Sequence, residues 1–180
     1  MADLFTYIVY FSTLLLSVVL IKMGYNKQTL KRNYKGHILF IFLAFLVLVI
    51  VSGLRYNVGA DYPGYSYLYK EQPYYDDAIG MEIEYGFIFI VDTLNNIGLE
   101  VWAFYTLTAF ITYFFLFYSF KNYKSLLYLG IFLFITYGFY FFSFNGVRQA
   151  LAMSALAVAV AFIQERKLVP FVGIILIGGL

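Results

Sequence analysis

From residue 101 to 120, and again from 125 to 144, the chain runs without a charged side chain, and most of those positions are Phe, Tyr, Leu or Ile. At 1.5 Å per residue each run reaches roughly 30 Å as a helix, the thickness of a bilayer's hydrocarbon core. Backbone polar groups in that core find no water, so a run that enters it closes its hydrogen bonds within itself as a helix. Similar runs occupy 4–21, 38–54 and 147–163, the last interrupted only by Arg148 near its start. Hydrophobic residues make up 63% of the 180 and charged ones 12%, against about 25% charged in a soluble domain. So few charges cannot cover a soluble surface, and the excess apolar area needs lipid. The expected fold is all-α: one polytopic membrane domain over residues 1–180, a helical bundle of about five or six spans.

Each run has its own character. The first begins at Asp3 instead of a basic segment and shows no cleavage pattern before Lys22, so it reads as a retained helix and not a signal peptide. The fifth is rich in Ala, which suits close helix approach inside a bundle. A sixth run, 168–180, would reach only about 20 Å as a helix, short of the core thickness. The expectation is that this chain is the N-terminal part of a longer protein.

The cations fix an expected orientation. Lys22, Lys27, Lys31, Arg32 and Lys35 follow the first run, Lys121 and Lys124 the third, Arg166 and Lys167 the fifth, which makes nine of the 12 Lys and Arg on one side. By the positive-inside rule that side is cytoplasmic and the N-terminus is outside. The opposite side has Arg55, Lys70 and Arg148 together with Asp3, Asp61, Glu71, Asp76, Asp77, Glu82, Glu84, Asp92 and Glu100, nine of the ten acids. The net charge of +2, with no basic stretch in a polar context, excludes a nucleic-acid binder. With no Cys and one His, the chain is expected to use no metal and no cofactor. No P-loop, GxGxxG, HExxH or nucleophile-elbow motif occurs.

The polar chemistry gathers in the outer segment 55–100, too long for a connector. Its first half reads as an ordered loop, with Gly59, Asp61, Pro63, Gly64 and tyrosines including Tyr62 and Tyr65. Its second half holds an apolar stretch at 85–91, expected as a short interfacial or re-entrant helix. Tyrosines there suit either an interfacial belt or stacking on sugar faces. At the outer junction 144–149, Asn145 is expected to cap a helix starting at Gly146, with Arg148 and Gln149 in its first turn. A cation at a helix N-terminus opposes the helix dipole. Either an anion such as phosphate is held there by the guanidinium and free N–H groups, or Arg148 pairs with a loop carboxylate such as Asp61 or Glu84, or it reaches lipid headgroups. Arg55 is either a second phosphate ligand or a span-end anchor. Asp61 and Glu84 are candidate general bases toward a sugar hydroxyl.

Three segments carry a resemblance: Arg55-Tyr-Asn-Val-Gly59-Ala-Asp61-Tyr62 with Tyr65; Glu84-Tyr-Gly86-Phe87; and Asn145-Gly-Val-Arg148-Gln149-Ala-Leu-Ala152. In order and spacing they resemble the EpsG family of bacterial membrane proteins, Wzy-like polymerases of exopolysaccharide and capsule. The resemblance implies glycosyl transfer at the outer face of the cytoplasmic membrane, from an undecaprenyl-pyrophosphate-linked oligosaccharide to another carrier-linked unit. It implies Asp61, Glu84 and Arg148 in catalysis and Arg55, Tyr62, Tyr65, Asn145 and Gln149 in substrate binding, with membrane lipid and other polysaccharide-assembly proteins as partners. The family's Phe-His pair would fall beyond Leu180.

Two other readings compete. A transporter or flippase of lipid-linked sugars would also use arginines, but would put ionisable groups near span midpoints, where these runs have essentially none. A non-catalytic membrane scaffold of a polysaccharide-assembly complex is the other.

Overall fold

The computed structural model describes residues 4–25, 34–73 and 83–178, all of it helix and connecting turns. Lys27, Lys31, Arg32, Asp76, Asp77 and Glu82 lie outside the described residues. The helices are α1 (Leu4–Gly24), α2 (Tyr34–Gly53), α3 (Tyr62–Glu71), α4 (Tyr85–Asn96), α5 (Val101–Ser119), α6 (Leu127–Thr136), α7 (Phe139–Asn145), α8 (Val147–Gln164) and α9 (Leu168–Gly178). The bundle is built as a row in which α1 packs on α2, α2 on α5, α5 on α8 and α8 on α9, with α6 against α1. Thr6–Gly24, α5 and α8 are each long and apolar enough to cross a membrane, and α6 with α7 forms a broken fourth candidate. Its α2 is 20 residues long, about 30 Å, with His37–Gly53 as its apolar part. The chain is a helical membrane bundle.

Close backbone approach holds the row together. A Cβ on Gly53 would lie 2.7 Å from the Thr106 Cα, so glycine is what lets the end of α2 touch the start of α5. On α8, Ala150, Ala155, Ala159 and Ala161 are buried, as the alanine-rich sequence leads one to expect.

Two expectations are corrected. The run 125–144 is not one straight span: Gly138, at φ +84°, ends α6, and α7 leaves at 57° to it. A left-handed residue cannot continue a right-handed helix, and only glycine adopts it at little cost. Residues 62–71, read as loop, form α3. Pro63 sits in its first turn, where its missing N–H has no helical partner to lose. The expected short helix within the loop is α4.

The long segment between α2 and α5 therefore folds back on the bundle as two helices. Tyr62, Leu68 and Tyr69 of α3, Phe87, Val91 and Leu94 of α4, Phe104 and Tyr105 of α5 and Val147 of α8 form one buried cluster. The Tyr69 hydroxyl donates to the Leu99 carbonyl at 2.6 Å, and the Asn95 amide donates to the Tyr69 carbonyl at 2.6 Å. At the opposite end, Glu165 pairs with Lys121 at 2.9 Å and Lys167 at 3.0 Å. That joins the loops after α5 and α8, two of the three expected to share one side of the membrane.

Candidate functional site

The junction between α7 and α8 organises the end of the bundle that carries α3 and α4. Gly146, not Asn145, is the N-cap of α8, while Asn145 is the last residue of α7. Its amide oxygen instead accepts from the Ala60 N–H at 2.7 Å, which ties the loop before α3 to this junction. Gly59, at φ +104°, makes that approach: a Cβ there would lie 2.9 Å from the same Asn145 oxygen. No other residue fits both the dihedral and the space.

Arg55, left open by the sequence as a second phosphate ligand or a span-end anchor, follows the end of α2 and is turned inward. It is 9% exposed and donates to the Ser52 carbonyl at 2.6 Å and the Phe144 carbonyl at 3.1 Å. Its guanidinium lies over the rings of Tyr105, at 4.4 Å, and Phe144, at 5.0 Å. The acceptors are carbonyls at the C-terminal ends of α2 and α7, which lack helical partners and carry the negative end of the dipole. Arg55 thus joins two helix ends and backs the site from within.

Tyr62 stacks on Tyr105 at 4.6 Å, and the Tyr105 hydroxyl donates to the Tyr62 carbonyl at 2.8 Å. The sequence did not single out Tyr105, because an aromatic within an aromatic span carries no distinguishing signal. Tyr62 is buried, so its ring is a wall and presents no open stacking face. Tyr65 is half-buried, and its hydroxyl is acted on by the backbone N–H groups of Arg148 and Val147 at the start of α8. Burial nonetheless raises its pKa above the ordinary phenol value.

Arg148 emerges in the first turn of α8 and pairs with Glu84, the residue preceding α4, at 2.5 Å. Of the alternatives open for Arg148, this is the loop-carboxylate pairing. The hydrogen bond from Arg148 holds the Glu84 carboxyl below the usual range. Glu84 is half exposed, so solvent screens the pair. Asp61 is exposed just before α3 and makes no capping hydrogen bond with its side chain. Gln149 is exposed beside Gly146.

Beneath the Glu84–Arg148 pair a cavity of about 390 Å³ runs between α4, α5 and α8. Phe87, Ile90, Ile111, Phe115, Leu151 and Ala155 form much of its wall. Glu84 and Arg148 are the charged residues that line it.

Together these observations define a polytopic helical membrane protein with an arginine–carboxylate site at one end of the bundle, above an apolar groove. Residues 38–180 match the EpsG family, and the chain belongs to that family, which makes it a polysaccharide-related membrane protein. No curated protein and no solved structure matches it.

Proposed function

We propose that the chain takes part in polymerising lipid-linked oligosaccharide repeat units for exopolysaccharide or capsule, in a bacterial cytoplasmic membrane with the N-terminus and the Arg148 site outside. The observation that carries this is the position of Arg148, at a helix N-terminus above an apolar groove, with the half-exposed Glu84 carboxylate as its ion-pair partner among the described residues. Such a site suits an anion attached to a hydrocarbon, which describes an undecaprenyl-pyrophosphate-linked glycan.

In this reading the acceptor sugar hydroxyl loses its proton to a carboxylate as its oxygen bonds to the anomeric carbon of the donor. The anomeric C–O bond to phosphate breaks, and its electron pair leaves on undecaprenyl pyrophosphate. Arg148 stabilises the charge gathering on that leaving group. Asp61 suits the base better than Glu84. The Glu84 carboxylate is taken up by Arg148, whereas Asp61 is exposed and makes no side-chain capping bond. In this reading Arg55 and Asn145 are structural: both terminal nitrogens of the Arg55 guanidinium donate to backbone carbonyls, and the Asn145 amide oxygen accepts from the Ala60 N–H.

The test is replacement of Arg148 by Lys and by Ala in the full-length protein of a polysaccharide-producing cell. Loss of long polymer in Arg148→Ala and a marked reduction in Arg148→Lys are expected, because Lys keeps the charge and loses the fork. Polymer of normal length from both variants would remove Arg148 from the reaction.

A further inference from the structure

The groove below Arg148 differs from an ordinary crevice in how its polarity is layered. Its charged residues, Glu84 and Arg148, sit at one end, and the rest of its wall is hydrocarbon or glycine. Arg148, Leu151, Ala152 and Ala155 follow one another down one face of α8, spanning seven residues, about 10 Å. On α5 the lining residues are Ile111 and Phe115, about 15 and 21 Å along the helix from its start at Val101. The groove thus descends from the loop end to the depth of the lipid chains. A soluble sugar has no use for such a wall, whereas a phosphate on a long hydrocarbon matches it from end to end. Its volume of about 390 Å³ lies within the range of sites that enclose a ligand.

We propose that this groove holds the phosphate-proximal isoprene units of a polyprenyl phosphate, whose phosphate displaces Glu84 from Arg148. The proposal rests on the lipid-linked substrate read above and adds where its tail lies and what opens the site. A phosphate offers more charge and more acceptor oxygens to a guanidinium than one carboxylate does. Glu84 has an alternative place to go: it occupies the N-cap position of α4 and makes no side-chain capping bond. The Phe87 N–H donates to the Glu84 carbonyl, but the N–H groups of Tyr85 and Gly86 in that first turn can take the displaced carboxylate. The filled groove and the freed Arg148 are coupled, because the same face of α8 carries both. Small side chains keep the groove open, with Ala152 at the surface of its wall and Ala155 buried beneath.

The experiment uses the full-length protein in phosphatidylcholine vesicles and a polyprenyl phosphate bearing a photoreactive diazirine on the isoprene nearest the phosphate. Labelling is expected on the peptides that hold Ile90 and Leu151. It should fall about tenfold in Ala152→Trp, which fills the groove, and in Arg148→Ala, and should persist in Leu156→Trp, whose side chain is exposed elsewhere on α8. Label confined to helices other than α4, α5 and α8, label unchanged in Ala152→Trp, or label abolished by excess phosphatidylglycerol would overturn the proposal, the last by marking an ordinary lipid site. Thermal unfolding in detergent separates a filled groove from a misfolded Ala152→Trp. Normal polymer from Ala152→Trp would refute the groove and leave the polymerase reading intact. Groove labelling as expected from a protein that makes no polymer would do the reverse.

Discussion

Arg55, a cation on an acidic face, was conspicuous in the sequence with two readings open, a second phosphate ligand or a span-end anchor. In the structure its guanidinium joins two helix ends. Its turn inward was not legible in the sequence, because its partners Tyr105 and Phe144 lie far along the chain and resemble every other aromatic around them. The forked guanidinium reaches the two carbonyls from two separate nitrogens held in one plane, a span that the single nitrogen of an ammonium does not reproduce. Arg55→Lys and Arg55→Met are therefore both expected to destabilise the bundle, by about 1–3 kcal/mol for each carbonyl left buried without a donor. Thermal unfolding in detergent measures this, and two variants as stable as the parent would return Arg55 to the role of a surface ligand. Arg148 was legible in the opposite sense: its anomaly as a cation at a helix N-terminus was visible, and Glu84 was already among its candidate partners.

At the scale of elements, the long spans were legible because absence of charge over twenty residues has few physical explanations. What failed was punctuation. Pro63 and Gly64 read as loop but open α3, and the run 125–144, read as a single span, is broken by 57° at Gly138. Both depend on backbone dihedrals that tertiary packing selects, and a single sequence does not show which glycine will take a left-handed conformation. The contact of α2 with α5 gives a sharper test. Gly53→Ala sets a Cβ against the Thr106 backbone and is expected to destabilise by about 1–3 kcal/mol. Gly64→Ala, which meets nothing within 4 Å, should change stability by no more than about 1 kcal/mol. Equal unfolding temperatures for the two would deny the close approach.

For the whole molecule, the sorting of charges proposes a topology that the chain's own composition makes easy to check. It has no cysteine, so single introduced thiols report cleanly. Tyr56→Cys, at an exposed position beside Arg55, is expected to react with an impermeant maleimide added outside cells. Tyr123→Cys, exposed beside Lys124, should react only after permeabilisation. The reverse pattern would put the Arg148 site in the cytoplasm and end the reading of chemistry at the outer face. Reconstitution of the full-length protein with an undecaprenyl-pyrophosphate-linked repeat unit tests the central claim most directly, since it separates bond formation from passage of the lipid across the membrane. The expected result is oligomers of two or more repeats, with one undecaprenyl pyrophosphate released for each linkage made. Repeat units that cross the bilayer or stay bound, with none joined and no carrier released, would contradict it.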